Sequence, residues 1–479
     1  MNILKTSGFT RFAHEIVFTL ILLVFTGLNS CKKDEIITDS NARLAFSNDT
    51  ILFDTVFTTV GSSTRNFKIY NRENQKINIS RIYIAGGTNS YFRMNLDGIP
   101  GYEFSNITIE AGDSLYVFTE VTVDPNNVNN PLIITDSIVF ETNGNIQDVD
   151  LVAWGQDAYF HAPPNNSGSS FFVLPCNEVW MNDKPHVVYG WAVVDSLCNL
   201  NILPGTQVHF HTNSGLLVYT DGELNVTGTE SNKVVFQGDR LEYDYDKLPG
   251  QWVGIWMLAA GNCLIDNAII KNGTFGLRCD TVGTSGMGLT ITNSIIENMT
   301  SLGIYGNAGA KINATNCLVD NIGQYTVAIS VGGDYVFNHC TFGNYWLFGD
   351  RTSTVMLVTN WYEFTPGNNI VRPLNLSVDN CIIYGDQDNE LTLDFLTGST
   401  LNYHFANCAI KTDQNVSGPE FTNNLINQDP FFMDASIQNY HISTTSPCKD
   451  AGNTVGGIFN DLENKPRDGN PDIGCYELQ

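Results

Sequence analysis

Three side chains able to move protons recur at one place in a repeated pattern. Lys271, Glu297 and Asp320 each stand three residues after a small residue, namely Ala268, Ser294 and Cys317. If the segments that carry them stack as strands, the carboxylates of Glu297 and Asp320 come about 5 Å apart, the separation of a retaining glycosidase pair. Lys271, with its pKa lowered, could then take the proton beside a uronate carboxyl. The same three residues also read as a solvated charge ladder worth about a few tenths of a kcal/mol. That plainer reading is the expectation, and catalysis is left unassigned.

A second group is chosen for recognition. Tyr345, Trp346, Arg351, Trp361 and Tyr362 crowd into a stretch where the repeat lengthens, and such insertions collect binding residues. Aromatic faces suit sugar rings, and Arg351, Asp350 and Glu363 suit hydroxyls; alternatively, the rings pack down as a lid. Two acidic loops, 239–247 and 386–390, make calcium conceivable, although plain acidic loops are the simpler reading. No paired Cys-x-x-Cys spacing exists and the eight His are scattered, so no metal site is assigned.

The elements that must position these residues are legible in the repeat itself. It reads Asn267-Ala268, Asn293-Ser294, Asn316-Cys317, His339-Cys340, Asn380-Cys381 and Asn407-Cys408, with spacings of 26, 23, 23, 41 and 27. A large apolar residue follows two places later, from Ile270 and Ile296 through Ile410, and apolar residues alternate into the motif upstream. Alternation makes each arm a strand, and the parity slips at the Asn, so the chain turns a corner there. Asn tolerates the left-handed backbone region, and its amide bonds the same amide one rung away. His339 falls in this Asn column and reads as a corner residue bonded to Asn316 or Asn380. A period in the twenties whose units share one core is a β-solenoid.

On these residues the sequence resembles the right-handed parallel β-helix proteins of the pectin-lyase-like class, over about two thirds of the chain. The implied fold class is all-β: a right-handed parallel β-helix preceded by an Ig-like β-sandwich. The fold hosts lyases, hydrolases, adhesins and inert spikes, so it implies no single activity. Gly-His-Gly, Asn-Thr-Asp and Arg-x-Pro-x-x-Arg, signatures of catalytic β-helix families, are missing from this sequence.

Among 479 residues, Lys+Arg total 24 and Asp+Glu 50, a net charge of -26, so nucleic acid is a poor partner and acidic polysaccharides are repelled. Lys5 and Arg11 precede an apolar run from Ile16 to Leu28, and Leu28-Asn29-Ser30-Cys31 resembles a lipoprotein cleavage box. Residues 1–30 are then a lipoprotein signal peptide, with Cys31 lipidated and 31–41 a tether. Lys32-Lys33-Asp34-Glu35 is similar to the acidic signal that sends some lipoproteins to the exterior face of the outer membrane.

Residues 42–157 alternate in short runs between breakers and predict a β-sandwich of about seven strands. Ile69-Tyr70-Asn71, Ile109-Glu110-Ala111-Gly112-Asp113-Ser114 and Ala153-Trp154-Gly155 resemble the Ig-like domains of the abnormal-spindle and hydin type. A linker over 158–171 and a β-helix over 172–479 with a cap at each end complete the domain expectation. Cys317, Cys340, Cys381 and Cys408 read as packed free thiols, whereas Cys176 with Cys198 and Cys448 with Cys475 are disulfide candidates at the two caps. The whole points to a lipid-anchored outer-membrane surface protein whose β-helix is a non-catalytic carbohydrate-binding or adhesive module, with a polysaccharide or cell-surface glycan as partner and its Ig-like arm meeting other surface proteins. A polysaccharide lyase or glycoside hydrolase is the second reading, and a structural or protein-interaction spike the third.

Overall fold

The computed structural model describes residues 35–57, 61–123, 132–164 and 169–478. The leader and Cys31 lie outside the described residues. The chain divides into two compact units, with the main boundary in sequence after Gln156.

In the first unit, two sheets of six and five strands share one core. The rings of Phe46 and Phe140, one from each sheet, sit 4.9 Å apart in it. The strand count exceeds the expected seven because short edge pieces join in. One of them, Ile36–Ile37, pairs with Lys76–Ile84 from within the stretch expected to be a tether.

The second unit is a right-handed parallel β-helix. Three parallel sheets of 11, 9 and 10 strands wall one apolar column. One coil shows the order: Ala268–Lys271 in the first sheet, Phe275–Asp280 in the second, Leu289–Thr292 in the third. The next coil begins at Ile295–Met299, directly above the first. Tyr159–His161 already pairs in parallel with His186–Val188, so the first coil starts inside the stretch expected to be a linker.

The corner between third and first sheets explains the repeat. Asn267, Asn293, Asn316, His339, Asn380 and Asn407 all hold φ between 49° and 53°, the left-handed region that Asn visits cheaply. Asn316 donates to Asn293 Oδ1 at 3.2 Å, and Asn380 donates to His339 Nε2 at 3.0 Å. The small-residue column does more than save space. Ser294 Oγ accepts the Ala268 N–H (3.0 Å), Cys381 Sγ accepts that of Cys340 (3.4 Å), and Cys408 Sγ that of Cys381 (3.5 Å). Each small polar atom thus satisfies a backbone donor, freed by the corner, on the rung before it. Asn272, Asn298 and Asn321 form a second, buried amide ladder at the corner between first and second sheets.

The C-terminal segment overturns the expectation of an end cap. After the last rung, Leu425–Ile426, the chain turns back along the outer face of the first sheet. Tyr440 is buried there against Leu318, and Gly343 makes the close approach possible: a Cβ on it would stand 2.4 Å from the Tyr440 ring. Cys448 and Cys475 occupy different clusters of this strap and are free thiols, so the second disulfide candidate is corrected. Cys176 and Cys198 are joined in a disulfide at the opposite end of the solenoid.

Burial holds the rings of His161, His186 and His209 down to about 4 and that of His339 to about 3. A depressed folded pKa means the unfolded chain binds more protons, so these rings subtract stability as pH falls from about 6.5 toward 4. Asn at position 339 supplies the residue used by the neighbouring rungs and does not titrate. His339→Asn is therefore expected to melt at or above wild type near pH 7, with a wider advantage near pH 4.5, by thermal denaturation followed by circular dichroism. An advantage that fails to widen with acid would refute the burial account.

Candidate functional site

Register places Lys271 beside Glu297 and Glu297 beside Asp320 on successive rungs, as stacking requires. The ladder is not solvated, however, because the strap covers it. Gln438 Nε2 donates to Asp320 Oδ1 at 2.8 Å, to Glu297 Oε2 at 3.3 Å and to Asn298 Oδ1 at 3.1 Å. Lys271 is held by Asp246 at 2.8 Å. Asp320 is fully buried, and burial raises both carboxyls above the ordinary range, Asp320 strongly. Neither the open catalytic face nor a fully solvated charge ladder survives: Glu297 and Asp320 are the floor on which the strap docks, while Lys271 is tied to the 239–247 loop through Asp246.

The aromatic insertion divides between two corners. Tyr345 packs beneath the strap, its ring 6.4 Å from Phe432 and 6.3 Å from Tyr440. Trp346 leans on Phe348 at 5.2 Å. Arg351 is no hydroxyl binder, because its side chain is buried and paired with Glu390 and Asp386. This cluster also accounts for the 386–390 loop, whose acids serve a guanidinium where calcium was conceivable. In the other acidic loop, Asp239 meets His211 at 2.7 Å and Asp246 meets Lys271. Trp361 and Tyr362 belong to a projecting hairpin, Trp361–Thr365 with Asn368–Val371, at the corner between second and third sheets.

The outer face of the second sheet carries an array of partly exposed rings. Outward positions there form a column Val193, Leu217, Trp256, Arg278, Tyr305, Ala328 by register. The Arg278 guanidinium lies 4.4 Å from the Trp256 ring and 5.8 Å from that of Tyr305, a cation–π sandwich. Asp280 fixes it, accepting from Trp256 Nε1 (2.8 Å), Arg278 Nε (3.0 Å) and Asn307 (3.0 Å). Trp191 meets Trp256 edge-on at 6.2 Å. Two shallow grooves follow: one of about 450 Å³ beside Phe171, Trp191, Tyr219 and Trp256, and one of about 340 Å³ between Tyr305, Arg372 and the hairpin's Tyr362 and Ile370. Five steps from Val173 to Tyr305 span roughly 24 Å.

Two carboxylates on this face, Asp280 and Asp394, stand too far apart to act as a glycosidase pair. The neighbouring column runs Leu258, Asp280, Asn307, Ser330, Thr359, Asp394. The two acids are four rungs apart, roughly 19 Å, whereas paired carboxyls of glycosidases stand about 5–9.5 Å apart. Asp280 is also neutralised by Arg278. On the third sheet, Ser377, Asp379 and His404 come together, but Ser377 Oγ (3.0 Å) and Asp379 (3.3 Å) meet the same ring nitrogen, Nε2. A nucleophile triad needs the acid on the opposite nitrogen. Trp191, Trp256, Arg278 and Tyr305 were missed from the sequence. Their signal is parity, since Trp256 stands between inward Ile255 and Met257, and Tyr305 follows inward Ile304.

The family model described as right handed beta helix region matches residues 214–372. No curated protein matches. A solved family 123 glycoside hydrolase from Clostridium perfringens, studied for glycolipid glycan hydrolysis, is similar at 8% identity and TM-score 0.18, covering 25% of this chain and 30% of that one. The ASH/PapD-like domain 7 of human CEP192 is similar at 9% identity and TM-score 0.17, covering 26% of this chain and 92% of that domain. The chain thus spans under a third of the hydrolase, and at these scores neither structure bears on activity.

The buried carboxyl floor has a measurable signature. A carboxyl whose folded pKa is raised contributes stability that is lost as pH climbs through the folded value. Asp320→Asn removes that loss and keeps an acceptor for Gln438. Its melting temperature is expected to gain on wild type by a few degrees between about pH 5 and about pH 8. A gain that does not grow with pH would count against a buried acid.

Proposed function

We propose that the β-helix is a non-catalytic module that binds neutral glycan chains along the outer face of its second sheet. The observation that carries this is the Trp256–Arg278–Tyr305 column, which continues to Trp191 on one side and to Tyr362 on the other. Rigid strands present flat rings at a fixed step over a length of several sugar units, at low entropic cost on binding. Asn307, Ser330 and Arg372 supply hydroxyl partners beside the rings. The net charge of -26 disfavours polyuronates.

The N-terminal sequence supports anchoring of the chain in the outer membrane through acyl groups on Cys31, with the glycan face presented outside the cell. The β-sandwich, resembling Ig-like domains, would serve as a spacer or as an arm for other surface proteins.

Two measurements test the reading. Affinity electrophoresis or pull-down on neutral polysaccharides is expected to retain the wild-type chain, while Trp256→Ala and Trp191→Ala lose about tenfold or more in affinity, roughly 1.4 kcal/mol. If no neutral glycan retains wild type, or if both variants bind equally well, the face is not the site. Cys31→Ala is expected to move the protein from the membrane fraction to the soluble fraction and to abolish labelling by radioactive palmitate. Retention of label would exclude Cys31 as the anchor.

A further inference from the structure

At the corner between third and first sheets, remote from the aromatic face, a groove of about 510 Å³ runs along the Asn column. Its floor repeats rung by rung: Asp266, Thr292 and Thr315 end successive third-sheet strands, and Asn267, Asn293 and Asn316 follow them in the corner. Its far wall is residues 457–464 of the strap, where Phe459 is 75% exposed. This wall is fixed. Asn316 donates to Asn460 O at 2.8 Å, and Asp461 is buried while accepting from the backbone of Glu463, Lys465 and Glu477.

We infer that this groove is a second glycan site, for a short neutral oligosaccharide, independent of the second-sheet face. The Asn293 and Asn316 amides are spent on Asp266, on each other, on Asn460 O and on Arg467, which leaves the Thr315 hydroxyl, the Asn267 amide N–H groups and the second oxygen of Asp266, on rungs roughly 4.8 Å apart, to meet adjacent sugar hydroxyls. Asp266 Oδ1 is occupied by Thr292 Oγ1 (2.6 Å) and Asn293 Nδ2 (2.9 Å), which orient the carboxylate across the floor. Phe459 supplies an apolar ring at the lip, where burial by a ligand removes it from water. Glu230 and Asp266 line the groove; of the two cations that reach its floor amides, Arg467 on Asn316 Oδ1 is paired with Glu477 and Lys233 donates to Asn267 Oδ1, so the acids outweigh the free positive charge and polyanionic ligands are disfavoured. The volume suits two or three sugar units.

Two sites on different faces would let one molecule bridge two glycan strands, and the count of bound chains reads this directly. Isothermal titration of the full-length chain with cellohexaose, xylohexaose, laminarihexaose and mannohexaose is expected to show a site that survives Trp256→Ala. That site should weaken at least tenfold in Phe459→Ala and in Asp266→Asn. Phe459 is exposed, so its truncation leaves the core alone, and unchanged melting temperatures confirm that both variants fold. The inference is overturned if Trp256→Ala abolishes all binding, if neither groove variant changes it, or if none of the probes binds. Wild type binding only at a Trp256-dependent site would leave the second-sheet reading standing and remove this one.

Discussion

Everything in the solenoid depends on a corner that every coil must take in the same way. The backbone there enters the left-handed region, which costs a typical L-residue roughly 1–2 kcal/mol, and Asn reduces that cost; at Asn316–Asn293 and Asn380–His339 the side chains also bond from rung to rung. The corner also strips a backbone N–H of its partner, and the Ser or Cys of the adjacent rung accepts it. Two residues per coil therefore fix both the turn and the vertical register. Because equal positions then stack at about 4.8 Å, any outward residue type repeated in sequence becomes a column in space.

That multiplication of single residues into columns produces three faces of different character. The first sheet is covered by the strap, so its acids lie in a dry interface and lean toward the protonated state. The second is open and aromatic. The third is polar, with amide ladders such as Asp334–Asn375–Asn402. One backbone design thus supports a docking floor, an open aromatic face and a polar face, and the difference lies wholly in what the outward positions carry and in whether another segment covers them.

The limits of legibility follow from particular residues. The column of Asn293, Asn316 and His339 is legible because the third-sheet strand ends one residue before each corner and the next first-sheet strand begins within two residues after it, which keeps the buried positions in one phase. The second-sheet strands escape such alignment, since the connections on either side vary in length, most of all around residues 345–355 and 361–371. Trp256 and Tyr305 therefore went unmatched, although each alternates with buried neighbours. Arg351 and Tyr345 carry chemistry suited to a ligand, but their partners, Glu390 and Tyr440, are distant in sequence.

By itself the sequence determined the fold class, the rung register, the left-handed corners and the ladder Lys271–Glu297–Asp320, because each of these rests on local periodicity and on backbone preferences of single residues. Only the tertiary structure decided which faces are open. The path of residues 429–478 back along the first sheet depends on contacts such as Gln438 with Asp320 and Tyr440 over Gly343, more than a hundred and nearly a hundred residues apart respectively. No local pattern encodes such pairings, since desolvation by a remote segment leaves no mark on the residues that it covers.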